Sequence, residues 1–205
     1  MAASAQLGTQ EYLLDVPAEK PNPELLAFAY LRFAEQGLLE RIFHNYYPVI
    51  RLKQFLDWAE TVNILGCYVR RPILDPQPLL AGLGFVNHVA QVGDLKRVEV
   101  GVGFLREYQR HGLPERFCAE MLAWCFARGA GIVYGTTPEH NHAMIRFARR
   151  MGFRSERVRG IVAWQGKACD GIVYSMTREE WEGRYGIRRQ QFDPCDAESV
   201  DLASA

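Results

Sequence analysis

No apolar run in this 205-residue chain reaches the roughly 18 residues that a membrane-spanning helix needs. The opening MAASAQLGTQ also lacks the basic and apolar regions of a secretory leader, so the cytoplasm is the simplest compartment. Neither sign of charge is in excess, because 24 basic side chains balance 24 acidic ones. No global field therefore draws the chain to nucleic acid or to an anionic membrane, and any anion site must be built locally. Cysteine is sparse. Cys67, Cys118, Cys125, Cys169 and Cys195 are odd in number and contain no C-x-x-C pair, which argues against a disulfide framework or a zinc knuckle and for mostly buried thiols. No metal is expected. No segment repeats with a period of roughly 20 to 50 residues, so a solenoid or propeller is not indicated.

What remains suits one domain with a sizeable core. EYLLDV reads as a short strand. After the Pro-rich AEKPNPE comes a helical region, ELLAFAYLRFAEQGLLERIFHNYY, with Gly37 splitting or bending it. RLKQFLDWAE is a second short helix. VNILGCYVRR and PLLAGLGFVNHVA are strands separated by RRPILDPQP, and RVEVGVGFL is a third. LPERFCAEMLAWCFARG, closed by Gly129, and PEHNHAMIRFARRMG, closed by Gly152, are helices on either side of the strand GIVYGTT. SERVRGIVAWQ and CDGIVYSMT pair as an antiparallel hairpin. The expected fold is therefore a mixed α/β (α+β) sandwich, with helices flanking a largely antiparallel sheet. Residues 1–182 form the expected domain, and 183–205 a polar arm or tail.

In RVEVGVGFL, Val98, Val100 and Val102 alternate with Glu99, Gly101 and Gly103, so one face is apolar and the other nearly bare. A bare face admits either an extended ligand or a closely packed helix. The next loop, YQRHGLPERF, poses a similar choice. A glycine turn entering a helix can hold a pyrophosphate on unpaired backbone N–H groups, here those of Gln109, Arg110, His111, Gly112 and Leu113. It can equally be a plain connection, and Pro114 offers no N–H but suits a first helical turn.

Tyr108-Gln109-Arg110-His111-Gly112 resembles the Gln/Arg-x-x-Gly-x-Gly/Ala motif of the GNAT superfamily of acyl-CoA N-acyltransferases, departing from it at Pro114. Asn141, followed eleven residues later by Gly152-Phe153, is similar to a second element of that family. The resemblance covers roughly residues 60 to 180. It implies a GNAT-like fold with a wedge between the fourth and fifth strands that accepts the pantetheine arm of acetyl-CoA. Backbone groups near Val102 and Phe104 would pair with that arm, and Gln109 to Leu113 would hold its pyrophosphate. Asn141 would face the arm, although it also suits a helix cap.

The implied activity is transfer of an acetyl group from acetyl-CoA to an unknown amine. The family's usual acid, a tyrosine seven residues after the asparagine, is replaced by Ala148. Glu99 is the candidate base, while Tyr134 and Tyr174 are candidate proton donors; each also has a plain role as a strand carboxylate or core tyrosine. His140 and His142 flank Asn141 and could bind an anion or act as a base, but they read first as exposed positions of a first helical turn, with Glu139 as its first-turn acid. Arg146, Arg149, Arg150, Arg154, Arg157 and Arg159 read as a solvated face that could contact CoA phosphates or a protein partner, rather than nucleic acid. The alternative is a catalytically inactive GNAT fold serving protein assembly through the basic helix or the C-terminal arm. YGTTPEHNHAMIRFARRMGF is similar to divergent GNAT-like proteins of tailed bacteriophages, for which a virion or head-assembly role would follow.

Overall fold

The computed structural model describes residues 13–16, 19–44, 51–71, 75–110 and 112–186. Asn22 begins α1 (Pro23–Glu35): its side chain accepts the Leu25 N–H at 2.9 Å, and Pro23 occupies the first turn, where its missing donor costs nothing. Gly37, at φ +64°, ends the run in a left-handed turn. The region expected as one bent helix is thus α1 followed by the short α2 (Leu39–Ile42), and α3 (Leu52–Thr61) comes next.

The strands are β1 (Leu13–Asp15), β2 (Asn63–Arg71), β3 (Asp75–Val92), β4 (Leu95–Phe104), β5 (Ile132–Pro138), β6 (Arg154–Trp164) and β7 (Lys167–Thr177). They form one sheet in the order β1-β2-β3-β4-β5-β7-β6. The β4–β5 pair is parallel and the other described pairs are antiparallel. The expected mixed, largely antiparallel sheet is present. β3 starts within the proline-containing stretch expected as a connection, because Asp75 already pairs with Arg71.

Helices cover both faces. Phe43, Trp58 of α3 and Phe85 of β3 pack ring against ring at 5.3 to 5.6 Å on one side. On the other side, α4 (Leu113–Ala127) lies close over the sheet, because a side chain on Gly84 would come within 2.9 Å of Phe117 and 2.8 Å of Met121. Phe117 is fully buried and meets Phe104 edge-on at 5.5 Å. Phe117→Ala is expected to cost about 3–5 kcal/mol, a loss that chemical denaturation would measure.

α5 (His142–Met151) is shorter at its start than the sequence suggests. Asn141 is its cap, so Glu139 and His140 precede the helix rather than occupy its first turn. Glu139 instead pairs with Arg157 at 2.8 Å, and His140 meets the Trp164 ring edge-on at 4.4 Å. The chain also forms a helix where the arm was expected to begin. α6 (Arg178–Tyr185) opens on a reciprocal cap between Thr177 and Glu180, and Trp181 packs on Phe126 at 5.4 Å. The rest of the expected arm, from residue 187, lies outside the described residues.

Candidate active site

The last parallel pair between β4 and β5 is Glu99 with Tyr134. Beyond it, β4 continues against β3 to Phe104, while β5 continues against β7 to Pro138. The two strands separate and leave an edge of β4 open. Parity decides which peptide groups face this opening. The Lys96 carbonyl accepts the Gly131 N–H at 2.9 Å, toward β5. Alternate residues turn their peptide groups the same way, so those of Val100, Val102 and Phe104 face the opening. The Val100 carbonyl accepts the Tyr174 hydroxyl at 3.4 Å, and the Phe104 carbonyl accepts Gln109 Nε2 at 2.9 Å. Val102 lies between these two closed positions.

A cleft of about 410 Å³ runs through the opening from one face of the sheet to the other. Its first part lies beside α2 and α3, between Phe43, His44, Trp58 and Phe85; its second lies beside α5, against Asn141, Met144 and Phe147, and reaches Pro114. The two glycines of β4 divide the roles that the sequence left open. A side chain on Gly103 would meet Ile42 at 2.7 Å, so this glycine lets α2 approach. One on Gly101 would find only Phe85, at 3.7 Å, so this glycine keeps the cleft open.

At the far end, Gly112 stands before α4 at φ +70° and ψ +6°, the left-handed conformation that glycine adopts without steric cost. Nothing lies within 4 Å of where its side chain would be. Pro114 is buried in the first turn, and Leu113 is buried beside it. Helix geometry leaves first-turn N–H groups without intrahelical acceptors, which makes this end electropositive. Arg110 and Gly112 are exposed there. The Gln109 N–H is directed back to the Arg106 carbonyl at 3.3 Å, so Gln109 braces the turn through both its amides. His111 lies outside the described residues.

Glu99 and Tyr174 both line the cleft, whereas Tyr134 does not. The Arg97 guanidinium covers the Tyr134 ring at 4.6 Å, which occupies that face of the phenol. Asn87 Nδ2 donates to Glu99 Oε2 at 3.5 Å. Tyr174 is buried, and burial first, then Cys118 and Glu99, push its phenol above the usual tyrosine range. Burial also raises the Tyr134 phenol, with Glu99 adding to the effect and Arg97 opposing it. Asn141 uses its side chain structurally: Oδ1 accepts the Met144 N–H at 3.4 Å, and Nδ2 donates to Thr137 Oγ1 at 3.0 Å. It still borders the cleft.

A family model described as an acetyltransferase (GNAT) domain matches residues 28–154. The chain belongs to the GNAT acetyltransferase family. No curated protein sequence matches it. Among solved structures, a probable GNAT-family acetyltransferase from Chromobacterium violaceum is 20% identical over 88% of each chain, with a TM-score of 0.64. RimJ from Mycobacterium smegmatis, in complex with CoA-disulfide, is 16% identical over 84% of each chain, with a TM-score of 0.63. Spermidine N-acetyltransferase from Vibrio cholerae, in complex with CoA and spermine, is 13% identical, with a TM-score of 0.65. It covers 82% of this chain and 97% of its own. At these identities the likeness is one of fold.

For a GNAT domain, the place of the missing tyrosine is filled compactly: Ala148 is buried, and Phe147 beside it borders the cleft without a hydroxyl. Among the described residues, the tyrosine that borders the opening is Tyr174, from a different element. Cys118 and Cys125 lie on the buried face of α4, and burial pushes the Cys125 thiol up to about 12, which suits packing and not nucleophilic attack. Half of the basic run is seen in ion pairs: Arg150 with Glu115 at 2.7 Å, Arg154 with Glu180 at 2.9 Å, and Arg157 with Glu139 and Asp170. Among the described residues no cluster of His, Cys, Asp and Glu could hold a metal, and no helix is long and apolar enough to cross a membrane.

Sequence reasoning missed the aromatic wall of Phe43, Trp58 and Phe85, and the buried His44 within it. Three separate segments bring these residues together, and no spacing in the sequence signals such a meeting.

Proposed function

We propose that the protein is an N-acetyltransferase that moves the acetyl group of acetyl-CoA to a primary amine. The observation that carries this reading is the open edge of β4 at Val102, leading from Glu99 to the left-handed Gly112 turn. An extended pantetheine arm can pair with such an edge as an added strand. A pyrophosphate is attracted to the helix start beyond it. The amine enters from the Glu99 face, and its nitrogen attacks the thioester carbonyl. The C–N bond forms, the C–S bond breaks, Glu99 takes the proton released by the amine, and Tyr174 supplies the proton that the departing thiolate needs. The phenol is protonated at neutral pH, as a donor must be, while its burial, by raising it above the usual range, makes it a weaker acid than a free tyrosine. Gly101 leaves room for the acetyl group beside the strand.

Calorimetric titration with acetyl-CoA tests the reading. Saturable binding is expected, and no binding at millimolar ligand would overturn it in favour of an inert GNAT fold used in assembly, the reading that Ala148 favours. Tyr174→Phe is expected to lower kcat by about tenfold or more while leaving acetyl-CoA affinity unchanged. The lost hydrogen bond to Val100 should cost only about 1 kcal/mol of stability.

A further inference from the structure

The phosphate end of the cleft is short of backbone donors. The Gln109 N–H is bonded to the Arg106 carbonyl at 3.3 Å, and Pro114, in the first turn of α4, has no N–H to offer. The same turn carries a carboxylate, Glu115, which opposes an anionic ligand at the helix start. That carboxylate is neutralised from α5, because Arg150 Nε and Nη2 both donate to Glu115 Oε1, at 3.0 and 2.7 Å. The pair holds the last turn of α5 beside the first turn of α4.

Arg146 stands four residues before Arg150, so the two guanidinium groups leave the same side of α5, about 6 Å apart along its axis. Both line the cleft. Arg150 is engaged with Glu115, whereas Arg146 is exposed and has no hydrogen bond or ion pair among the described residues. A guanidinium presents a planar fork of donors that fits a phosphate through two parallel bonds. We propose that Arg146 binds the pyrophosphate of acetyl-CoA, supplying from α5 the donor that Pro114 withholds from α4. Arg150 supports it at one remove: by neutralising Glu115 it keeps the helix start attractive to an anion. The inference rests on the N-acetyltransferase reading and names a side chain that anchors the acetyl donor.

Calorimetry with acetyl-CoA and with acetyl-dephospho-CoA, which keeps the pyrophosphate and lacks the ribose phosphate, tests the assignment. Arg146→Gln is expected to raise both Kd values about tenfold, with Tm unchanged because the side chain is exposed. Arg149→Gln removes the same charge from the same helix at a position that does not line the cleft, and should leave both Kd values within about twofold. Pro114→Ala restores the missing N–H, so Arg146→Gln made in that background should cost only about threefold. Unchanged Kd values in Arg146→Gln overturn the inference. A loss confined to acetyl-CoA also overturns it, by moving the arginine to the ribose phosphate. An equal loss in Arg149→Gln does the same by making the effect one of general charge, and so does an undiminished loss in the Pro114→Ala background. If the natural protein binds neither ligand, the N-acetyltransferase reading falls and the inference with it. Binding by the natural protein with no loss in Arg146→Gln removes the inference alone, so the two failures are told apart.

Discussion

Gly112→Glu is expected to abolish detectable acetyl-CoA binding, by about a hundredfold or more in Kd, while the protein stays folded. The strain is modest: a side chain at φ +70° pays about 1–2 kcal/mol for the left-handed conformation, and no atom lies within 4 Å of the new carbon. The charge is decisive. A carboxylate at the start of α4 is attracted to the same unpaired N–H groups that would receive a pyrophosphate, so the variant fills its own anion site and repels the ligand. Gly112→Ala separates the two effects, because it pays the strain without adding charge. It should bind acetyl-CoA nearly as well as the natural protein. Calorimetry on both variants, with thermal unfolding as the control, checks the prediction. Equal losses in the two would mean that turn geometry, and not anion binding, sets the affinity.

Much of this site was legible because its signals are local. The alternation of Val98, Val100 and Val102 with Glu99, Gly101 and Gly103 marks a strand with one thin face, and β4 has that character. Gly112, Gly129 and Gly152 stand where helices begin or end, each at positive φ. Asn141 offered two local readings, and its bonds to Met144 and Thr137 show the capping one, while its place at the cleft keeps the other open. Other features were local yet overlooked. Thr177-Arg178-Glu179-Glu180 is a capping signature, and its polar surroundings masked the helix that follows.

What could not be read is what depends on register between distant segments. Tyr134 and Tyr174 look alike in sequence, each a tyrosine in an apolar strand. The sheet order places Tyr174 across Gly135, where a side chain would come within 2.3 Å of the phenol oxygen, and so directs that hydroxyl to Val100. Tyr134 sits beside Glu99 but beneath Arg97. The same limit hid the difference between Gly101 and Gly103. Only the arrival of Ile42 from α2 makes one a packing glycine and leaves the other free.

Glu99→Gln is expected to lower kcat by about a hundredfold or more, with acetyl-CoA affinity and Tm nearly unchanged. The amide is the same size as the carboxylate and can keep a hydrogen bond with Asn87, which limits any shift of the strand. It cannot take a proton at neutral pH. The amine would then have to lose its proton to water, in a cleft where no other carboxylate stands among the described lining residues. The split between binding and turnover distinguishes this role from a structural one, since a strand carboxylate needed only for folding would lower Tm and spare kcat. Steady-state kinetics with saturating acetyl-CoA, beside calorimetry on the same preparation, measures both. Because Tyr174 serves the leaving thiolate and Glu99 the incoming amine, the double variant should lose little more than Glu99→Gln alone if both protons move in one rate-limiting step. Additive losses would mean that the two groups contribute independently to the barrier.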